Sequence, residues 1–414
     1  MSEQVDKPKR KRHWFRFRLR TLLIAMLLLG CGLGLVGMRL VKYRRAKATV
    51  QWIHDNGGQV TFHYEPGPWW KQIFQSDFAD SVITVNLGSA RISNPSRSKI
   101  SDLSPLEELT QLQKLDLYET QVSDLTPLSK LTQLELLILD NTQVSDLAPL
   151  RELTQLEWLD IRGTQVSDLA PLAGLTKMRV LFLSHTVSDL ATLRELTQLQ
   201  SLLLTGTQVS DLTPLAILKN LRSLELHGVS DTRLVTLEEL TQLQFLRLRD
   251  MQLSDITPLA NLTSLESLEL VDTQVGDLTP LAKLMRLEQL YLKGTQVSDL
   301  TPLAKLMRLE LLTLRGAQVS DLTPLANLTS LVSLYLADTP VSDLTPLAKV
   351  TSLKTLILTN TPVSDVTPLA KLTSLKTLTL TNTQVSQDQI KMLKQALPKC
   401  HMNWTINFPR PPER

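Results

Sequence analysis

The chain of 414 residues has 44 lysines and arginines against 41 aspartates and glutamates, so its formal net charge is only +3. This balance argues against nucleic-acid binding, which needs a marked excess of positive charge. Leucine accounts for 89 residues and aromatic residues for only 5%, a composition that indicates a repeat array rather than an ordinary globular domain. The only cysteines, Cys31 and Cys400, cannot supply a disulfide framework or a cysteine-ligated zinc site.

An uncharged segment lies near the amino terminus. Leu22 to Met38 contains 17 residues without charge, and the longer stretch 19–41 can cross a bilayer as one transmembrane helix. Eight basic residues lie within 1–20 and five within 39–47. The positive-inside rule therefore predicts a basic cytoplasmic tail, residues 1–18, and a single-pass membrane protein whose repeats lie outside the cytoplasm.

Two other interpretations of this segment stay open. A cleaved signal peptide needs small residues directly after the apolar run, but the run ends at Met38 and Arg39. The string Leu28 to Cys31 resembles a bacterial lipoprotein box, although the apolar run continues beyond Cys31. An uncleaved signal-anchor helix therefore accounts best for the sequence.

Residues 42–100 are predicted to form a juxtamembrane helix and an N-terminal cap. The helix is expected over 44–56, before Gly57 and Gly58, and alternation predicts a strand over 59–64. Residues 82–87 resemble a degenerate early repeat. A mostly aromatic cluster between these strands either covers the open end of the array or lies among lipid headgroups. It comprises Trp69, Trp70, Ile73, Phe74 and Phe78.

A 22-residue unit repeats from Leu109 onward, and the repeat region is assigned to 101–386. One unit reads LTQLQKLDLYETQVSDLTPLSK, and every step is 22 residues except one of 21, from Leu183 to Leu204. The missing residue is the glutamine of TQVSD. The second leucine of the LxL core recurs at Leu117, Leu139, Ile161, Leu183, Leu204, Leu226, Leu248, Leu270, Leu292, Leu314, Leu336, Leu358 and Leu380.

The spacing of leucines within one unit predicts its local structure. Leu115 and Leu117 are two residues apart and so share one face of a strand. Leucines then recur every third residue from Leu125 to Leu134, which suits a 3₁₀ path and not a long α-helix. No unit can bury these leucines alone, so neighbouring units must stack. The predicted fold is an α/β solenoid with a strand on one side of each unit and a short 3₁₀ or irregular return segment on the other.

A turn motif precedes each return segment. Thr126 is predicted to be an N-cap residue followed by Pro127 at the first helical position. The aspartates just before this pair could form a metal-binding row or local Asx-type turns, and one carboxylate per coil is too few oxygens for calcium. These aspartates are Asp124, Asp146, Asp168, Asp189, Asp211, Asp255, Asp277, Asp299, Asp321, Asp343 and Asp365.

The unit LxxLxLxxTQVSDLTPLAxLTxL resembles the 22-residue leucine-rich repeat of the bacterial internalin type, over residues 109–386. The resemblance implies a right-handed horseshoe with the parallel sheet on its concave side, binding by concave-face residues, and neither catalysis nor a cofactor. The slot that usually holds Asn in that family holds Thr in ten units, beginning with Thr120. A Thr hydroxyl donates one hydrogen bond where an Asn amide donates two, so we expect a different internal hydrogen-bond ladder.

The array is irregular in its middle and ends in a cap. Arg233 and Thr236 replace the usual Asp and Pro of the sixth unit. Residues 387–408 are predicted to form a C-terminal cap, with a helix that ends before Pro398 and a strand over 401–408. Residues 409–414 are predicted to be a disordered tail.

The variable strand positions of the concave face form the predicted partner-binding surface. Trp158 and Phe182 are expected to be exposed neighbours beside Arg162, and Trp, Tyr and Arg dominate interface hot spots. The predicted partner is a protein or a glycan, without nucleic acid. The candidate residues are Tyr118, Trp158, Asp160, Arg162, Phe182, His227, Phe245, Arg247 and Arg249.

Two functional classes follow from these patterns. The chain is either a membrane-anchored recognition scaffold or a structural spacer of the cell envelope without a specific ligand. An enzyme is not expected, because no phosphate-binding loop, HExxH motif or nucleophile elbow occurs. His185 and His227 lie at strand ends as isolated residues.

Overall fold

The computed structural model describes residues 19–63, 82–88, 99–207, 209–229 and 234–404. Within these residues, 16 strands form one sheet in chain order. The first pair, β1 and β2, is antiparallel, and the later pairs are parallel. The strands are β1 Gln59–Phe62, β2 Val82–Asn86, β3 Lys114–Asp116, β4 Leu136–Ile138, β5 Trp158–Asp160, β6 Val180–Leu183, β7 Ser201–Thr205, β8 Ser223–His227, β9 Phe245–Arg249, β10 Ser267–Val271, β11 Gln289–Tyr291, β12 Leu311–Thr313, β13 Ser333–Tyr335, β14 Thr355–Ile357, β15 Thr377–Leu380 and β16 His401–Trp404.

Short 3₁₀ segments connect the strands of the array, as the three-residue leucine spacing predicts. They form the convex side opposite the parallel sheet, and the leucine-rich-repeat solenoid is confirmed. Their bounds are Ser104–Leu106, Thr126–Leu128, Ala148–Leu150, Ala170–Leu172, Ala191–Glu195, Thr213–Ile217, Val235–Glu239, Thr257–Asn261, Thr279–Lys283, Thr301–Leu303, Thr323–Leu325, Thr345–Lys349 and Thr367–Lys371.

A continuous leucine core runs between the sheet and the 3₁₀ segments. Leu115 and Leu117 are fully buried, whereas Lys114 of the same strand is exposed. Val85 of β2 lies in register with Leu115, so 82–87 is the first strand of the parallel stack, as predicted. Each buried leucine contributes about 1.5–3 kcal/mol, and stacking of coils is therefore the main source of stability.

The threonines in the slot that usually holds Asn, which we call the threonine column, form hydrogen bonds within their own coils. Thr120 Oγ1 donates to the carbonyl of Leu117 at 2.7 Å, and seven other column threonines make the same contact to the leucine or isoleucine three residues earlier. The shortened unit breaks this pattern. There Ser184 Oγ donates across to the carbonyl of Thr164 at 2.6 Å, and Thr186 Oγ1 donates to the carbonyl of Val166. Loss of one residue thus replaces an intra-coil bond by bonds between coils.

The turn aspartates cap the 3₁₀ segments. Asp124 Oδ1 accepts the N–H of Thr126 at 2.8 Å, and the same contact recurs in the other units that carry this aspartate. The predicted N-cap role of Thr126 is wrong, because the segment begins at Thr126 and its capping oxygen comes from Asp124. Each of these aspartates therefore forms the local Asx-type turn that was one of the two predicted interpretations.

Stability should fall in acid because of these turns. Hydrogen bonds from the Thr301 hydroxyl and N–H lower the pKa of Asp299. The equivalent threonines lower the pKa values of Asp277 and Asp321 in the same way. A lowered pKa stabilises the folded state above the ordinary carboxylate value of about 3.9, and this stabilisation is lost as pH falls below that value. Thermal unfolding from pH 7 to 3 should therefore show a midpoint that is flat above pH 5 and drops below pH 4.

The matched control replaces Asp277, Asp299 and Asp321 by Asn, which keeps the accepting oxygen but does not titrate. This variant should lose less stability between pH 5 and 3 than the parent chain. Equal losses in both proteins would show that the turn carboxylates do not cause the acid dependence.

The amino-terminal end is built by one long helix. Helix α1, Leu19–Asp55, spans 37 residues, about 55 Å, so the prediction of separate helices over 19–41 and 44–56 is wrong. Its apolar side chains between Leu23 and Val41 are mostly exposed, whereas Ala46, Thr49 and Ile53 pack on the first coil. The helix ends as predicted before Gly57, whose φ of 72° suits glycine.

The far end is covered by a second helix and the last strand. Helix α2, Gln387–Ala396, begins after Ser386, whose hydroxyl accepts the N–H of Gln389. The ammonium of Lys394 lies 4.1 Å from the ring centroid of Trp404 on β16. The predicted helix and strand of the C-terminal cap are confirmed up to residue 404. The tail 1–18, the aromatic cluster 69–78, Arg233 and residues 405–414 lie outside the described residues.

Candidate partner-binding site on the concave face

The strand alternation that buries leucines also fixes which side chains face outward. In register across the sheet, Leu136, Trp158 and Val180 are neighbours on β4, β5 and β6. One row further along the strands lie Ile138, Asp160, Phe182 and Leu203 on β4 to β7. Parallel register therefore gathers large side chains from four consecutive coils on one area of the concave face.

Two aromatic rings form the centre of this area. Trp158 and Phe182 contact each other edge to face, with ring centroids 5.6 Å apart and an interplanar angle of 71°. Trp158 is 36% exposed, while Phe182 and the surrounding aliphatic side chains are half-buried. Strands are about 4.8 Å apart, so the area extends about 15 Å along the array. We name it the concave patch, comprising Leu136, Ile138, Trp158, Val180, Phe182 and Leu203.

A guanidinium group fixes the edge of the concave patch. Arg162 Cζ lies 5.1 Å from the Phe182 ring centroid. Its Nη2 is 2.6 Å from Asp160 Oδ2 and 3.3 Å from Asp140 Oδ2. The hydrogen bond with Asp160, which is almost fully buried, raises the pKa of Arg162. A side chain held by a ring and two carboxylates has lost its rotational freedom before any partner binds, which favours affinity.

A shallow pocket of about 220 Å³ adjoins the concave patch at β2 to β5. Burial, followed by the charge of Asp160, raises the pKa of Asp140 at its wall. Across the pocket, Asn86 Nδ2 donates to Asp116 Oδ2 at 2.9 Å. Tyr118 also lines it, so this predicted residue lies beside the pocket and not against the aromatic pair.

The remaining predicted residues form a separate group on β8 and β9. Arg249 donates to both carboxylate oxygens of Glu269 at 2.7 Å. Arg247 lies 3.1 Å from Glu225 Oε2, and His227 Nε2 is 2.6 Å from Asp250 Oδ2. These contacts engage the polar groups of Arg247, Arg249 and His227 that the sequence offered as partner contacts.

Three further members of this network, Glu225, Glu269 and Asp250, were not predicted from the sequence. The repeat period could have found them, because Glu225 and Glu269 stand one unit before and after Arg247 in register. Phe245 is 44% exposed but has Ser223 and Ser267 as its in-register neighbours. Its ring is therefore not part of an apolar cluster like that around Trp158.

Among the residues that the structure describes, no group of three His, Cys, Asp or Glu side chains is arranged to hold a metal ion. The face thus offers an aromatic patch with fixed charges at its edge, and beside it a self-neutralised ionic group. Such a surface can bind another molecule by burying apolar area.

Comparison with known proteins agrees with the observed fold. Residues 110–152, 241–283 and 351–394 match the family described as Leucine Rich repeats (2 copies). The crystal structure of an internalin, inlF from Listeria monocytogenes, is 33% identical; the match covers 72% of this chain and 86% of that one, with a TM-score of 0.66.

More distant solved structures share the fold. The Leptospira interrogans LRR protein LIC12759 is 22% identical, with 74% of this chain and 81% of that chain covered and a TM-score of 0.68. A chain of the Toll–Spatzle complex of Drosophila is 16% identical, with 73% and 48% covered and a TM-score of 0.56. No curated protein sequence matches the chain significantly.

Proposed function

Because this chain belongs to the internalin-type family of leucine-rich-repeat proteins, we propose that it is a membrane-anchored recognition scaffold that binds a protein partner at the concave patch. Leucine-rich repeats are typical protein-binding domains, and the proposed role needs no catalytic step. The single observation that carries the proposal is the contact of Trp158 with Phe182, held in place by Arg162.

The concave patch has the properties of an interface centre. An exposed tryptophan and a fixed arginine are the kinds of side chain that carry most binding energy in protein interfaces. Arg162 and Asp140 supply a charged rim next to the apolar area, which matches the usual arrangement of an apolar core and a polar edge. The Toll–Spatzle complex, in which one chain shares this fold, supports a protein as the class of partner.

The anchoring part of the proposal rests on helix α1. Leu27, Leu28 and Leu29 are each about two-thirds exposed, and the helix is long and apolar enough to cross a bilayer. It continues without a break into the segment that packs on the first coil, which favours an uncleaved anchor over a signal peptide. The excess of basic residues before it supports a cytoplasmic amino terminus and an array outside the cytoplasm.

Site-specific crosslinking in intact cells tests this function. A photoreactive amino acid at Leu136, inside the concave patch, should capture a discrete protein. The control is the same amino acid at Thr355, which occupies the corresponding strand position on β14. Protease added outside the cytoplasmic membrane should degrade the array and thereby confirm its orientation.

The alternatives give different results in the same experiment. A spacer without a ligand should give the same crosslinks from both positions. A glycan ligand should give no protein crosslink from either position. Either result would contradict a protein partner at the concave patch.

A further inference from the structure

One flank of the solenoid changes character along the array. We define the entry flank as the surface formed by the last residues of each 3₁₀ segment and the residues that connect it to the next strand. In the first three coils of the array it carries five acidic and two basic residues, within 107–113, 129–135 and 151–157. Between 282 and 376 it carries two acidic and eight basic residues, and the basic ones are exposed. They are Lys283, Arg286, Lys305, Arg308, Lys349, Lys354, Lys371 and Lys376.

Two methionines stand within this basic half. Met285 is 48% exposed and Met307 51% exposed, and they occupy the same position in consecutive coils. Most other coils have Thr at this position, for example Thr263 and Thr329. Two unbranched apolar side chains, each followed directly by an arginine, form an amphipathic strip rather than an ordinary solvated surface.

The contacts of helix α1 show how this flank is placed relative to the anchor. Arg45 Nη1 is 2.8 Å from Glu108 Oε1, at the corner where the first 3₁₀ segment turns into the entry flank. Thr49 Oγ1 donates to the carbonyl of Pro105 within that segment at 2.7 Å. One turn later, Ile53 packs beside Gly58 and Leu87, at the carboxyl end of β2.

These three contacts lie on one face of the helix and cross the end of the array from the entry flank to the opposite flank. The helix axis is therefore transverse to the direction in which coils stack. Its apolar part leaves the array at the corner between the first 3₁₀ segment and the entry flank. From Arg45 to Val41 the helix rises only about 6 Å at 1.5 Å per residue, so the apolar segment begins directly beyond this flank.

We propose that the basic half of the entry flank rests on the anionic phospholipid surface of the membrane that holds α1. The proposal rests on the membrane anchoring proposed above. The lysines of this basic half pair with headgroup phosphates, while Met285 and Met307 enter the interfacial zone. The array then lies along the bilayer, and its concave patch opens sideways to a partner in the same plane.

Chemical labelling of the full-length chain tests this contact without any substitution. The chain is reconstituted in vesicles of equal parts phosphatidylcholine and phosphatidylglycerol, or of phosphatidylcholine alone. Acetylation of Lys283, Lys305, Lys349 and Lys371 is followed by mass spectrometry, together with peroxide oxidation of Met285 and Met307. Rates should be at least about fivefold lower in the anionic vesicles, and about 1 M salt should remove the protection. Lys114 on the concave face is the internal control and should label equally in both.

A charge reversal provides the second measurement. Lys305→Glu should restore labelling of Lys349 and oxidation of Met307 in anionic vesicles, whereas Lys114→Glu should not. Equal labelling of the wild-type flank in both vesicles, in a chain that resists alkaline extraction, would overturn this inference and leave the anchor intact. Release of the chain by alkali would overturn the anchor and the inference together.

Discussion

Replacing Leu292 by Asp is expected to destabilise the array by at least about 4 kcal/mol. Leu292 directly follows β11 and is fully buried. Its N–H donates to the carbonyl of Thr313 in the next coil at 2.8 Å, and its own carbonyl accepts the hydroxyl of Thr295. Truncating a buried leucine already costs about 2–5 kcal/mol. An aspartate adds an unpaired carboxylate in an apolar column, which costs more. Urea unfolding followed by circular dichroism measures the loss.

The control for this prediction is Gln289→Asp, which introduces a carboxylate three residues earlier on the exposed concave side. It should change stability by less than about 0.5 kcal/mol. Because each coil contacts only its neighbours, hydrogen exchange in Leu292→Asp should rise most in the coils on either side of β11. An unfolding midpoint equal to that of the parent chain would show that Leu292 does not face the core.

The repeat period accounts for most of the fold because it fixes two things for each leucine. It sets which face of its own strand the leucine occupies, and which leucine of the next coil it packs against. Register follows directly: Leu268 lies opposite Leu290 and Leu290 opposite Leu312. A residue in the left-handed region, two positions after the second leucine of most units, was nevertheless not predicted. Apart from Glu119, these residues are Gly, Asn or Asp, the types that tolerate positive φ. They are Glu119, Asn141, Gly163, Gly206, Gly228, Asp250, Asp272, Gly294, Gly316, Asp338, Asn360 and Asn382.

The amino-terminal helix shows where pattern reasoning failed. Charged residues from Lys42 onward mark the end of the apolar segment, but the helix does not end there. Charge does not end a helix, whereas a glycine in the left-handed region does, so α1 continues to Asp55 before Gly57. The end of a membrane segment and the end of a helix are different physical events.

The binding surface was predictable in outline but not in its electrostatics. Alternation alone places Trp158, Arg162 and Arg249 on the concave face. Which guanidinium groups are satisfied internally depends on side-chain rotamers across three coils. The structure pairs Arg249 with Glu269 and Arg162 with Asp160, and it also places Arg162 against the Phe182 ring at the edge of the concave patch.

Removing the Trp158 ring and the Arg162 guanidinium should strongly reduce partner capture. Trp158→Ala combined with Arg162→Lys should weaken binding by at least about 2 kcal/mol, or about 30-fold, since central Trp and Arg residues dominate interfaces. Lysine retains a positive charge beside buried Asp160 but cannot stack flat on Phe182. The readout is the yield of the protein that crosslinks to Leu136, measured together with the thermal unfolding midpoint.

The matched variant is Phe245→Ala, which removes an exposed ring at the strand position that corresponds to Trp158. Phe245 stands between two serines in register, so its loss should reduce capture by less than about fivefold, within the range of a peripheral contact. Both variants should unfold close to the parent midpoint, because neither site belongs to the leucine core. Full capture by the Trp158→Ala and Arg162→Lys protein would place the partner site elsewhere on the array, whereas equal losses in both variants would extend it to β9.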